Sequence, residues 1–154
     1  MEIKLFVNGE KIICDVSPSE MLKETLRKHG YLSVKGGCDT GSCGLCTVWI
    51  DKKPSLSCSI PTFRANNKEI TTIEGVQEQA NEFADFLVNE GAEQCGFCSP
   101  GFIMTVLAME MELNDFTDEN ITSYLTGNLC RCTGYEGQLR AIKKYLRRNQ
   151  NEIR

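Results

Sequence analysis

Residues 35–46 read KGGCDTGSCGLC, and a further cysteine follows at position 58. The cysteines of this stretch are spaced C-x4-C-x2-C, so four thiolates are present once Cys58 is included. Thiolates are soft anionic ligands, which suit iron and bridging sulfide better than a hard, oxygen-seeking ion. Glycines between the cysteines let a short loop adopt the unusual backbone angles needed to wrap a small cluster. The spacing predicts a [2Fe–2S] cluster whose ligands are Cys38, Cys43, Cys46 and Cys58.

A second group of cysteines lies in the C-terminal half of the chain. Cys95 and Cys98 are spaced C-x2-C, and Cys130 and Cys132 are spaced C-x-C. Each pair precedes a segment with helical periodicity, so two antiparallel helix pairs would bring the four thiols to one end of a bundle. A C-x-C pair strains chelation of a single ion, whereas a two-iron cluster accepts such ligands readily. We expect a second [2Fe–2S] site here, with zinc held by four thiolates as the alternative.

The N-terminal half has the pattern of a small α+β unit. Apolar residues alternate from Ile3 to Val7, and Asn8-Gly9 separates them from a second strand-like run, which predicts a hairpin. Ser17-Pro18-Ser19-Glu20 reads as a capping box with Pro18 at the first helical position, and Gly30 ends that helix. Strands are expected at 47–50 and 70–73. This order predicts a β-grasp fold, in which a four- or five-stranded sheet packs on one helix.

Helical periodicity replaces the strand pattern after Glu74-Gly75. Four helices are expected: one stopped by Gly91, one begun by Ser99-Pro100, a short one capped by Thr117, and a last one from about Gly137. The fold class is therefore α+β, with an N-terminal β-grasp, ferredoxin-like domain at 1–74. A C-terminal domain resembling a four-helix bundle is expected at 75–154.

Composition and charge narrow the classes of function. The chain has 154 residues, of which 41% are hydrophobic and 25% charged, as in a globular protein. Its formal net charge of −4 disfavours a nucleic-acid partner, and the late basic residues from Lys143 to Arg154 are predicted to form a solvated helix face. No window is apolar enough to span a membrane, and no signal peptide is visible. Nine cysteines without export signals indicate reduced thiols, so the cytoplasm is the expected location.

Three motifs together resemble the small iron–sulfur subunit of the molybdenum hydroxylases, the xanthine dehydrogenase and aldehyde oxidase family. They are VKGGCDTGSCGLCT at 34–47, QCGFCSPG at 94–101 and GNLCRCTGY at 127–135. The resemblance implies two [2Fe–2S] clusters, a molybdenum–pterin cofactor on a large partner subunit, and FAD on another. Electrons would pass from molybdenum to the helical-half cluster, then to the N-terminal cluster, then to flavin. A dimer of such heterotrimers is among the expected assemblies.

The resemblance also assigns roles to individual positions. Gln94 matches a glutamine whose amide contacts the pterin cofactor across the subunit boundary, and none of the residues is expected to bind substrate. Leu45 stands where the family commonly has a small residue, and Ser99 where threonine is usual. Among substrates of the complex, a purine such as xanthine or another N-heterocycle is preferred, while aldehydes and aromatic acyl thioesters also fall within the family.

Two other functions remain open from the residues alone: a free-standing, soluble two-cluster ferredoxin and a zinc-stabilised interaction module. Cys14, the ninth cysteine, is expected to be a small buried side chain on the second hairpin strand, and its role is left open. His29 is expected at a helix C-terminus, without a catalytic role.

Overall fold

The computed structural model of the chain describes residues 1–148. Its first half is a five-stranded mixed sheet with one helix, and its second half is helical. The strands are β1 (Glu2–Val7), β2 (Glu10–Asp15), β3 (Thr47–Ile50), β4 (Lys53–Leu56) and β5 (Glu69–Thr71). Their order across the sheet is β2-β1-β5-β3-β4, with β1 and β5 parallel and the other neighbours antiparallel. Helix α1 (Leu22–Lys28) packs on this sheet through Leu22 and Leu26, so the β-grasp prediction is confirmed.

The predicted hairpin forms at Asn8-Gly9. Both residues have positive φ, 52° and 84°, as a tight two-residue turn between β1 and β2 requires. The Asn8 side chain does more than make the turn. Its Oδ1 accepts the Thr72 N–H at 2.9 Å, and its Nδ2 donates to the Thr72 hydroxyl at 2.9 Å. The hairpin is thereby fixed to the segment that leads into the helical half.

The predicted start of α1 is wrong. The helix begins at Leu22 rather than at Pro18, with Met21 as its N-cap residue. The reason is a long-range pairing: the Leu22 N–H donates to the Ile60 carbonyl, and the Thr62 N–H donates to the Glu20 carbonyl, each at 2.8 Å. This pairing forms a β-bridge between Met21 and Pro61 and holds Met21 extended. The Glu20 carboxylate accepts from the Thr25 hydroxyl at 2.7 Å instead of closing the expected capping box.

The sheet's later strands also differ from the sequence pattern. Strand β4 was not predicted because Pro54 interrupts it; it lies at the edge of the sheet, where proline is tolerated. The closing strand β5 covers Glu69–Thr71 and is shorter than the expected 70–73, since Ile73 already begins a 3₁₀ turn.

The second half contains the four expected helices: α2 (Gln77–Asn89), α3 (Ser99–Glu112), α4 (Asp118–Tyr124) and α5 (Glu136–Leu146). Helix α3 lies at the centre, with residues 101–109 all buried. The Thr117 hydroxyl accepts the Asn120 N–H at 3.2 Å, which confirms the predicted cap of α4. The rings of Phe83 in α2 and Tyr145 in α5 pack against each other, with their centres 5.0 Å apart.

The late basic residues do not form a simply solvated face. Lys143 pairs with Asp118 at 2.8 Å, Lys144 pairs with Glu90, and Arg148 contacts Glu82 at 2.7 Å and Glu110 at 2.8 Å. These contacts join α5 and the residues just after it to the other helices. Arg154 lies outside the described residues. No helix within residues 1–148 is long and apolar enough to cross a membrane.

The two halves meet in a close backbone contact. Trp49 of β3 is buried with the helical core, and its Nε1 donates to the Met104 carbonyl of α3 at 2.9 Å. A Cβ atom placed on Gly101 of α3 would lie 2.3 Å from the Gly44 carbonyl oxygen and 2.9 Å from Leu45 Cα. Only glycine therefore fits at position 101 without moving one half away from the other.

We expect Gly101→Ala to lower the free energy of unfolding by about 1–3 kcal/mol, because the added methyl group overlaps backbone that cannot rotate away. Thermal and denaturant unfolding of the loaded protein measure this. Gly127→Ala is the matched control, since a Cβ atom there meets nothing within 4 Å. Equal stability of the two variants would contradict the close contact.

Candidate metal centres

Three of the N-terminal cysteines lie in the loop between α1 and β3, and Cys58 lies in a 3₁₀ turn directly after β4. Cys43 and Cys46 are buried, whereas Cys38 and Cys58 are half-buried. The thiols form neighbouring pairs, Cys38 with Cys43 and Cys46 with Cys58. Gly41 has a φ of 69°, and the Ser42 N–H that follows it donates to Cys38 Sγ at 3.4 Å. The loop thus directs backbone N–H groups at sulfur, as a thiolate ligand requires.

The surroundings of this loop give its thiols different pKa values. A hydrogen bond from Cys43, together with backbone N–H groups of Thr40, Ser42 and Cys43, lowers the pKa of Cys38 to about 6. Burial raises the pKa of Cys46 to about 11. A thiol like Cys46 becomes an anion only when a positively charged centre compensates it. The loop therefore combines a thiolate available at neutral pH with a thiol that needs a metal.

The second group of cysteines converges from two loops, as predicted. Cys95 and Cys98 lie just before α3, while Cys130 and Cys132 lie in the loop before α5. The Sγ atoms of Cys132 and Cys95 are 3.6 Å apart, and Cys98 is hydrogen-bonded to Cys130. Each close pair therefore takes one thiol from each loop. The structure brings together all four cysteines that the sequence grouped.

Residues around this second group stabilise one thiolate selectively. Burial and the neighbouring Cys130 raise the pKa of Cys98 to about 12. Burial opposes ionisation of Cys130 too, but the Thr133 hydroxyl at 3.2 Å and backbone N–H groups of Cys132 and Thr133 outweigh it and lower the pKa of Cys130. The Thr133 hydroxyl thus contacts a thiol, and the last helix, expected from about Gly137, begins at Glu136.

The arrangement of the thiols fits two irons better than one ion. Within residues 1–148, no three side chains of the His, Cys, Asp or Glu type converge on a position for a single metal ion. The thiols lie in pairs instead, and a [2Fe–2S] cluster takes two cysteines on each of its irons. The backbone supports the same donor set: Gly96 has a φ of 71°, which lets the loop turn between Cys95 and Cys98. The donors present therefore fit two such clusters.

The two sites are neighbours. Cys38 and Cys43 of the first group and all four cysteines of the second line one open cavity of about 450 Å³. Leu45 and Leu129 are part of its wall. The Leu129 N–H donates to the Cys43 carbonyl at 2.9 Å, so one backbone hydrogen bond connects a cysteine of the first group to the residue before Cys130.

An exposed rim surrounds the second group. Cys95, Cys132 and Gln94 are exposed, and so are the large apolar side chains of Phe97, Leu129 and Tyr135. Lys35 of the first loop places its Nζ 5.7 Å from the centre of the Phe97 ring. An apolar rim next to solvent-accessible thiols is typical of a surface covered by a partner.

The spatial contacts of several residues near the sites could not be predicted from the sequence. Leu45 stands where the family commonly has a small residue, and in the structure it packs closely on Gly37. A Cβ atom on Gly37 would lie 2.7 Å from Leu45 Cδ2. Leu129 and Lys35 act through spatial neighbours that spacing alone does not predict. Cys14 is buried in the sheet core, the same core that contains Cys46, and His29 caps α1 with Nδ1 2.9 Å from the Thr25 carbonyl.

Comparison with known proteins agrees with this geometry. Residues 5–72 match the family of 2Fe-2S iron-sulfur cluster binding domains, and residues 72–143 match the [2Fe-2S] binding domain family. The nicotinate dehydrogenase small FeS subunit of Eubacterium barkeri is 41% identical over 136 residues, 86% of this chain and 87% of that protein. The xanthine dehydrogenase iron-sulfur-binding subunit of Escherichia coli O157:H7 is 41% identical over 138 residues, 87% of each chain.

A solved structure extends the likeness to the whole fold. Quinoline 2-oxidoreductase from Pseudomonas putida 86 superposes with a TM-score of 0.87 at 32% identity. The match covers 99% of this chain and 97% of that one. The arrangement of both halves, and not only the cysteine motifs, is therefore shared.

We expect Cys98→Ala to reduce the iron and acid-labile sulfide content from about four to about two of each per chain, because one cluster loses a ligand. Cys43→Ala should do the same at the other site. Cys14→Ala is the matched control and should keep about four irons. Metal analysis and visible absorption measure the outcome. Full iron content in Cys98→Ala, or iron loss in Cys14→Ala, would contradict the assignment of ligands.

Proposed function

The chain belongs to the iron–sulfur subunits of the molybdenum hydroxylases, and from that membership we propose which residues carry its electron-transfer function and which partners it serves. Eight cysteines hold two [2Fe–2S] clusters: Cys38, Cys43, Cys46 and Cys58 the first, and Cys95, Cys98, Cys130 and Cys132 the second. When bound, these clusters supply one-electron transfer from a molybdenum–pterin centre towards FAD. The observation that carries the proposal is the pairwise convergence of all four thiols in the helical half.

The chain's own contribution is to hold the two sites at a fixed separation. The Leu129 N–H to Cys43 carbonyl bond, at 2.9 Å, connects the two ligand loops directly. Close packing of Gly101 against Gly44 and Leu45 prevents the halves from sliding. Leu45 and Leu129 supply apolar wall to the cavity that the two sites share. A short, rigid connection of this kind supports transfer between the two sites without movement of the domains.

The partner that supplies electrons is a large molybdenum-containing subunit, since the relatives of similar length are named as iron–sulfur subunits of dehydrogenases. We place this subunit on the rim around Cys95 and Cys132, where Phe97, Leu129 and Tyr135 expose apolar surface. Gln94, exposed beside Cys95, is the residue we assign to the pterin cofactor, because its amide offers both donors and an acceptor. A separate FAD subunit and a dimer of heterotrimers complete the proposed assembly.

The proposed substrate of the complex is an N-heterocycle. Three relatives that this chain matches over most of their length are named for nicotinate, xanthine and quinoline, which are all nitrogen-containing ring compounds. We also propose the cytoplasm as the location, because eight thiolate ligands need a reducing compartment. The boundary between the two domains is proposed at residues 74 and 75, between β5 and α2.

Anaerobic addition of substrate to the native complex tests the function. We expect xanthine or nicotinate to bleach the visible absorption of the clusters and produce their EPR signals, while an aldehyde does so far more slowly. Efficient reduction by an aldehyde alone would contradict the substrate class. A chain that purifies with iron but without any large partner would instead indicate a free-standing ferredoxin.

Gln94→Ala should slow reduction of the clusters by substrate about tenfold, equivalent to losing one hydrogen bond of ~1.4 kcal/mol. Iron content and reduction potentials should stay unchanged, because Gln94 is not a ligand. Stopped-flow absorption of the complex gives the rate. Gln79→Ala, which changes an exposed glutamine on α2, is the control. A wild-type rate in Gln94→Ala would remove this residue from the proposed cofactor contact.

A further inference from the structure

A buried glutamine without a hydrogen-bond partner lies next to the second group of cysteines. Gln138, in the first turn of α5, is 4% exposed. Its Oε1 and the Tyr145 hydroxyl are the two fully buried side-chain polar atoms that lack a partner among residues 1–148. An unpaired amide oxygen in the interior is unfavourable, because it loses its hydrogen bonds to water and gains nothing in return. Such a group needs an explanation.

The surroundings of Gln138 explain what the amide can reach. Together with Gln138, Cys43, Cys98 and Cys130 line a narrow gap between the two cysteine groups, with no room for a water molecule. The other walls come from Leu45, Phe102, Leu129 and Asn128, and the Asn128 amide makes no hydrogen bond to Gln138 Oε1. Within the described chain, no side-chain hydrogen bond to Gln138 satisfies its oxygen. The chemically distinctive neighbours in this gap are sulfur atoms, which become anionic acceptors when they bind iron.

The amide group of a glutamine can be turned by 180° without changing its shape. Its oxygen and nitrogen are assigned from the hydrogen bonds that they make, not from their outline. Beside thiolates, an N–H donor is favourable and a carbonyl oxygen is not. Turning the amide places its NH₂ group where the unpaired oxygen lies and so pairs a donor with the sulfur acceptors.

We propose that Gln138 donates an amide N–H hydrogen bond to a thiolate of the Cys95/Cys98/Cys130/Cys132 site and thereby raises the reduction potential of the cluster held there. The inference rests on the proposed function. Hydrogen bonds to cluster sulfurs disperse the negative charge that increases on reduction, so they favour the reduced form. Gln138 is a positioning residue in this account, since it acts through Cys98 or Cys130 and not on substrate. It makes this cluster the better acceptor for electrons entering the chain.

EPR-monitored redox titration of the whole chain tests the proposal. Gln138→Met keeps a similar volume but has no N–H group. The EPR signal of the Cys95/Cys98/Cys130/Cys132 cluster is identified as the one that is lost in Cys98→Ala. At the wild-type midpoint potential, the ratio of reduced to oxidised cluster in Gln138→Met should be about tenfold lower, which corresponds to a 59 mV decrease in the midpoint potential. Gln138→Glu, which offers acceptors only, should lower the midpoint at least as far. The other signal, and both signals of the control Gln79→Met, should not move.

An unchanged or raised midpoint in Gln138→Met, in a protein that holds about four irons, would overturn the proposal while leaving the two-cluster function intact. Failure of the proposed function would look different, because the wild-type chain itself would then lack iron or one EPR signal. A second measurement keeps Gln138 in place and so does not require a Gln138 variant to fold. Pulsed EPR of the Gln94→Ala chain, with ¹⁵N in its glutamine side chains, should detect a nitrogen coupled to the helical-site cluster. Absence of that coupling would also overturn the proposal.

Discussion

The contact of two backbones at Gly44 and Gly101 is the constraint on which the rest of the structure depends. A Cβ atom on Gly101 would lie 2.3 Å from the Gly44 carbonyl oxygen, and a Cβ atom on Gly44 would lie 2.3 Å from the Gly127 carbonyl oxygen, so both positions exclude every side chain. The close approach lets the Leu129 N–H reach the Cys43 carbonyl and brings both cysteine groups to one cavity. Without it, the two sites would have no fixed separation.

The two sites differ in exposure. Cys43 and Cys46 are buried, whereas Cys95 and Cys132 are exposed beside an apolar rim. A partner's cofactor can therefore approach the helical-half site closely, while the buried cysteines of the other loop lie behind it. Hydrogen bonds and burial tune the thiols differently within each site, as the lowered pKa of Cys38 and the raised pKa of Cys98 show. The two sites are therefore unequally accessible to a partner.

Much of the fold could be predicted because its signals are local. The hairpin follows from Asn8-Gly9, and the cap of α4 follows from Thr117, since both depend on a few neighbouring residues. The features that were missed depend on contacts between residues distant in sequence. Helix α1 starts late because residues 20–22 pair with residues 60–62, and strand β4 tolerates Pro54 only because it lies at the sheet edge.

At the candidate sites too, local patterns could be predicted from the sequence and contacts between distant residues could not. Cysteine spacing grouped the thiols correctly in the helical half, but it did not reveal the cross-loop pairs or the contact of Thr133 with Cys130. It gave no indication of Gln138, because a glutamine in a first helical turn is ordinarily solvated. Only the packing of α5 against the cysteine loops buries it.

The spin–spin interaction between the two reduced clusters tests the central claim most directly. EPR of the dithionite-reduced chain, recorded at two frequencies, separates this interaction from g-anisotropy. The structure predicts two spin-half signals that broaden or split each other, because both sites line one cavity and their loops share a hydrogen bond. Two signals without mutual broadening, or a single signal from about two irons, would contradict a fixed two-cluster relay.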